Sequence, residues 1–360
     1  VSLTDSLMLT TKTPTTSRRP VPPANLVCCA AGLTACALAL LTLTTGGCAK
    51  SDAPGGRGDQ SQPLTADQVA AAPLRNAEAA IASGDRMRAR AELMRVIETN
   101  PQQAEAQLLL GELLFDEGNY DAAEPRFRQA ASAAPQNFRA QFMHGLTLHA
   151  LGKLQDAVNA YLRALNISPT DFDANVNVAS AYFALGEFGQ ALPYAQQSVR
   201  LAPRNGQARY NLGATFAALD RHEEAVVEFQ QATELVTITP ALLLTMSESM
   251  LKTRRFAEAK AALERVVAEA PSALGFERLG SANFRLGDGA AASQAFERAI
   301  AIDADYYPAL NGIGVCELNR WLDSGQSDDA ARQRGLGALR RSLQLKRGQS
   351  RVEDLLTRYR

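Results

Sequence analysis

Seven alanines set at one interval constrain this chain more than any other feature. Ala89, Ala123, Ala157, Ala191, Ala225 and Ala259 follow one another at steps of 34 residues, and Ala292 arrives one residue early. A second series in the same phase is small at every step: Ala77, Gly111, Gly145, Ala179, Gly213, Ser247, Gly280 and Gly314. A third is large at all steps but one: Leu93, Phe127, Tyr161, Ala195, Phe229, Leu263 and Phe296. A chain with such a period is one supersecondary unit stacked on copies of itself.

The unit can be read from "LLLGELLFDEGNYDAAEPRFRQAASAAP", residues 108 to 135. Leu110, Gly111 and Leu114 recur at helical spacing before Gly118, and Ala123, Phe127 and Ala130 share one helical face after it. Two short helices therefore meet with small residues opposite large ones. Gly111 and Ala123 let the backbones approach, Phe127 fills the remaining gap, and Gly118 can take the left-handed conformation that ends the first helix. Prolines at 101, 135, 169, 203 and 271 close the units, with Thr237 and Ala304 at the other two junctions. Asp220 and Arg254 stand where the turn glycine is expected.

A 34-residue helix-turn-helix period with this pattern resembles the tetratricopeptide repeat family. The resemblance implies an all-α fold, a right-handed α-solenoid of about eight units starting near Ala70, Ala104, Phe138, Phe172, Gly206, Pro240, Ala273 and Tyr307 and ending near residue 348. The eighth unit carries Trp321 at the turn, followed by "LDSGQSDDAARQ", which is expected to be a loop with the second helix resuming at "GALRRSLQLK". Residues 349–360 are expected to be a capping helix over the last apolar face.

The N-terminus differs in kind. No charged residue occurs from Pro20 to Ala49, and Arg18 and Arg19 precede "LVCCAAGLTACALALLTLTT". This is the layout of a secretory signal. Thr45-Gly46-Gly47-Cys48 resembles the bacterial lipobox, which implies a signal peptide over residues 1–47 and lipid on Cys48. The segment is also long enough to remain as a transmembrane anchor, and either reading puts the repeats outside the cytoplasm. Ala49 and Lys50 follow Cys48, rather than the aspartate that resembles an inner-membrane retention signal, so a periplasm-facing place on the outer membrane is favoured. Residues 48–69 are expected to be a lipidated cysteine and polar tether.

Composition narrows the function classes. A net charge of -1 with 46% apolar residues describes a helical globular chain and gives nucleic acid no basic surface. His144, His149 and His222 stand without an HExxH, a CxxC pair or a phosphate-cradling glycine loop, so no metal, cofactor or catalytic residue is expected. Cys316 is expected to be an inert core thiol.

What remains is binding. In a stacked array the first helices line the concave side. The family resemblance directs positions two, five, six, nine, twelve and thirteen of each unit there. Those positions supply Leu108, Phe115, Phe142, His149, Val176, Phe183, Tyr210 and Leu244, an apolar groove suited to an extended or helical peptide of a protein partner. Asn177 and Asn211 at position six resemble two rungs of the asparagine ladder in the repeats of O-linked N-acetylglucosamine transferase, where side-chain amides hold a peptide backbone. The expected function is a membrane-anchored, non-catalytic scaffold for assembly or secretion machinery. The alternative is a polysaccharide-binding or export component, in which nine basic residues from Arg332 onward meet anionic glycan or lipid.

Overall fold

The computed structural model describes residues 66–360, and the expected signal peptide and Cys48 lie outside them. Every element among the described residues is an α-helix, in seventeen segments. They fall into two compact bodies, one ending at Pro135 and the other running from Gln136 to Arg360. The first holds α1 (Ala66–Ala82), α2 (Arg86–Thr99), α3 (Ala104–Asp116) and α4 (Tyr120–Ala133). α1 begins inside the stretch expected to be tether, because "ADQVAAA" is made largely of good helix formers.

The second body continues with six helix pairs and one terminal helix. These are α5 (Phe138–Ala150) and α6 (Leu154–Ile167), α7 (Phe172–Ala184) and α8 (Phe188–Leu201), α9 (Gly206–Ala218) and α10 (His222–Thr233). They are followed by α11 (Pro240–Lys252) and α12 (Phe256–Glu269), α13 (Ala273–Arg285) and α14 (Gly289–Ile302), α15 (Tyr307–Asp323) and α16 (Asp329–Leu345), and α17 (Ser350–Arg358). Each first helix packs on the second helix of its own pair and on the second helix of the pair before it within the body. This is an α-solenoid.

Size complementarity decides the pairing inside each unit. A Cβ on Gly111 would stand 2.7 Å from Phe127, one on Gly145 2.5 Å from Tyr161, and one on Gly213 2.9 Å from Phe229. Phe296 excludes a side chain at two glycines, with 2.7 Å left at Gly280 and 2.5 Å at Gly312. Where the large residue is Leu93 or Leu263, the small one is Ala77 or Ser247, and where it shrinks to Ala195 its partner is Ala179. Phe127, Tyr161, Phe229 and Phe296 are fully buried, so each fills the space its glycine leaves open.

The turns repeat one backbone conformation. Gly84, Gly118, Gly152, Gly186 and Gly287 have φ between 72° and 85°, and Asp220 and Arg254 adopt the same left-handed region at 58° and 63°. Five first helices, α5, α7, α9, α11 and α13, start on side-chain caps, Asn137, Asp171, Asn205, Thr239 and Ser272, each accepting from the backbone N–H three residues on.

The eighth unit corrects the expectation of a long loop. α15 and α16 are 17 residues each, against 13 and 14 in a regular pair, so most of the insertion is helical. Trp321 is buried in the lengthened α15, its ring edge-on to Tyr359 at 5.8 Å, and Asp328 caps the early start of α16 through Ala331 N–H. An insertion that supplies an apolar anchor and a cap extends the helices rather than looping out. α17 buries Val352 and Leu355, and its N-cap Gln349 accepts from Asn311 Nδ2 at 2.8 Å.

Candidate interaction surface

Successive first helices of the second body touch directly: α5 on α7, α7 on α9, α9 on α11, α11 on α13 and α13 on α15. One surface of this body is therefore paved with first helices. Position five of the first four, α5, α7, α9 and α11, contributes Phe142, Val176, Tyr210 and Leu244, all half-buried. Each aromatic leans on its own pair's second helix: Phe142 stands 5.8 Å from Tyr161 and Tyr210 5.7 Å from Phe229. Phe142 also stacks on Phe138 at 5.6 Å. Phe183, 37% exposed, packs against Phe188 at 5.1 Å.

The two asparagines are partly committed within their own helices. Asn177 Nδ2 donates to Asp173 O at 2.8 Å, and Asn211 Oδ1 accepts from Gln207 Nε2 at 3.0 Å. The side-chain carbonyl of Asn177 and the side-chain amino group of Asn211 make no hydrogen bond among the described residues. Burial lowers the His149 pKa, and its Nδ1 lies 3.5 Å from Tyr161 Oη. His149 is a packing residue at one edge of this surface.

The first body holds the other two expected groove residues. Leu108 is only 2% exposed, so it is core of the α3 region and presents no surface to a ligand. Position five in that unit faces its neighbours because α3 is apolar along nearly all its length. Phe115 is half-buried against Tyr120 at 5.0 Å and Phe127 at 6.4 Å.

Charge enters the surface of the second body at α11 and α13. Arg278 pairs with Glu248 at 3.0 Å and does not act as a free cation. Beside it Glu277 accepts from Ser281 Oγ at 3.0 Å, and burial raises its carboxyl pKa. The basic C-terminus is similarly spent in part. Arg334 bonds Glu317 at 3.0 Å, Arg341 reaches Ala304 O at 3.0 Å, and Arg332 lies over the Trp321 ring.

One recurring contact goes unseen in reading for chemistry. At position four, Gln107 donates to Pro101 O at 2.9 Å, Asn175 to Pro169 O at 3.2 Å, and Arg209 to Pro203 O at 2.8 Å. At these three junctions a polar residue six positions after the closing proline therefore clasps the carbonyl of that proline, satisfying an acceptor. The step of 34 from Gln107 through Gln141 and Asn175 to Arg209 is the signal that could have revealed it.

Among the described residues no group of three or more His, Cys, Asp or Glu side chains could hold a metal ion, and no helix is long and apolar enough to cross a membrane. His144 is buried, and His222 stands 3.4 Å from Ser249 Oγ. Cys316 is buried, and burial with the neighbouring Glu317 pushes its thiol up to about 12.

A family model described as tetratricopeptide repeat matches residues 74–124, 112–172, 178–238 and 244–307, more than half of the chain. Among curated proteins none matches the sequence. A solved tetratricopeptide repeat protein from Parabacteroides merdae is similar at 19% identity with a TM-score of 0.48, over 72% of this chain and 99% of that one. YrrB, described as having an unusual peptide-binding site, is 16% identical with a TM-score of 0.47, over 56% of this chain and 99% of its own. Pseudomonas aeruginosa pilF is 16% identical with a TM-score of 0.46, over 57% and 93% respectively.

Proposed function

Because the chain belongs to the tetratricopeptide repeat family, a family of non-catalytic protein-interaction scaffolds, we propose that it is a scaffold of the bacterial cell envelope that holds a peptide segment of a protein partner. The segment lies across the first helices α5 to α11. One observation carries this reading: Phe142, Val176, Tyr210 and Leu244 recur at the same position of four adjacent first helices, all half-buried, with both aromatics held against their own second helices. Apolar side chains already fixed by packing lose little entropy when a ligand covers them. The uncommitted halves of the Asn177 and Asn211 amides supply backbone contacts between the anchors.

Placement in the envelope rests on the sequence alone. Cys48 after the apolar N-terminal segment is the lipid anchor in this reading, and Ala49 and Lys50 favour the outer membrane. The machinery served is one of assembly or secretion, in which a tethered scaffold raises the local concentration of its partner.

Photo-crosslinking residues placed at Phe142 and Tyr210 in cells test the surface, with Val227, 49% exposed on α10, as the control. The same envelope protein captured from both positions and not from Val227 is the expected result. No specific capture from either position overturns the peptide surface. A Cys48→Ser chain that still takes up labelled palmitate overturns the anchor independently.

A further inference from the structure

We propose that the first body carries a second recognition site, on α2, α3 and α4, for a partner peptide that presents an aliphatic side chain beside a carboxylate. A surface cavity of about 240 Å³ is lined by Met94, Leu110, Leu114, Ala122 and Pro125, with Arg90 and Arg126 completing the lining. It involves none of the residues assigned to the first-helix surface of the second body. Its volume lies below the range of small-molecule and cofactor sites, about 300–1,000 Å³, and suits a single inserted side chain.

The walls define the chemistry. Leu110 and Leu114 are buried residues of α3, and Met94 is 46% exposed, a flexible thioether that adapts to the shape inserted. The two arginines are underused. Arg126 makes one long hydrogen bond among the described residues, 3.5 Å to Gln107 Oε1, and Arg90 one ion pair, 3.6 Å to Glu117. Guanidinium groups beside an apolar cavity complement a carboxylate attached to an apolar body, and they pair with it in a fork that an ammonium cannot offer.

A second copy of this chain has a segment of similar chemistry: Ile302, 50% exposed, is followed by Asp303. Two rigid copies meeting through one side chain fall far short of the ~1,000 Å² a stable protein interface needs. A flexible peptide engages such a cavity weakly and gains from being tethered to a contact elsewhere. The site therefore takes a partner's peptide.

The full-length chain carrying ¹³C-methyl methionine tests this by NMR, because Met94 lines the cavity while Met87 on the same helix and the core residues Met246 and Met250 do not. The probes are N-acetylleucine, its uncharged amide, and acetate. The Met94 methyl resonance is expected to move saturably with N-acetylleucine at millimolar concentration, about threefold more weakly with the amide, and not with acetate. Arg126→Gln should reduce N-acetylleucine to the level of the amide, and Ala122→Leu, which fills the cavity, should abolish both responses in a chain whose circular dichroism is unchanged. Equal responses to acid and amide, or none up to about 50 mM, overturn the proposal. A Met94 shift that follows protein concentration without any probe assigns the cavity to a second copy and also overturns it.

Discussion

Tyr161 occupies the space that a side chain on Gly145 would need, since a Cβ there would stand 2.5 Å from Tyr161 Cδ1. Tyr161 is fully buried and supports Phe142 and His149, so this contact joins the packing of a unit to its proposed binding surface. Gly145→Ala gains about 1 kcal/mol of helix propensity and loses about 1–3 kcal/mol to overpacking. The overpacking wins, and the urea midpoint should fall. In Gly145→Ala/Tyr161→Leu, which copies the Ala77 and Leu93 pair, the loss should be smaller than the sum of the single variants by at least about 0.5 kcal/mol. Gly337→Ala, in α16 with nothing within 4 Å of its Cβ, should be stabilising.

Gly152 tests the turn without any packing effect. Its φ is 72° and nothing lies within 4 Å of its Cβ position. Gly152→Ala should cost about 1 kcal/mol through backbone strain alone. Asp220→Gly, relieving a left-handed aspartate at 58°, should raise the midpoint. Thermal unfolding of both variants measures the pair.

The junction clasp should matter more than an exposed polar residue does. Asn175 is 2% exposed and donates to both Pro169 O and Asp171 O. Asn175→Ala leaves a junction carbonyl without its partner and should cost about 1–3 kcal/mol. Hydrogen exchange should quicken at the α6–α7 junction before it does elsewhere.

Acid should weaken the second body through His149. Burial holds its folded pKa below 6.5, the value it regains when unfolded, so the unfolded chain binds the proton first. The stabilisation is complete above 6.5 and is lost as pH falls through the window beneath it. Between about pH 7.5 and about pH 5.5 the urea midpoint should fall further in the natural chain than in His149→Gln.

Cys316 should resist alkylation. With its thiol pushed up to about 12, only about one molecule in 10⁴ is thiolate at pH 8. Peptide mass spectrometry after iodoacetamide should find it unmodified in the native protein and modified in urea.

The repeat is legible in the sequence because a helix pair answers to local rules: period, turn residue and the size of facing side chains. Gly111, Gly145, Gly213 and Gly280, opposite Phe127, Tyr161, Phe229 and Phe296, can be assigned from spacing alone, since a close approach requires a small residue wherever a ring intrudes. The binding surface is less legible. Position five is apolar in Leu108 and in Phe142 alike, yet Leu108 is covered by its neighbours while Phe142 keeps part of its ring at the surface. Composition cannot distinguish an apolar residue packed between helices from one held ready for a partner.

The sequence by itself determined that this chain is an all-α array, because small and large residues in phase admit one way of stacking. Only the tertiary structure decided which polar groups are spent. Arg278 is paired with Glu248, and Arg209 with Glu228 at 2.9 Å. It also decided that the insertion after Trp321 lengthens two helices, since the burial of that indole against Tyr359 depends on a partner 38 residues away. Helical period acts over a few residues, whereas the partner of a charge or a ring is set by contacts between distant segments.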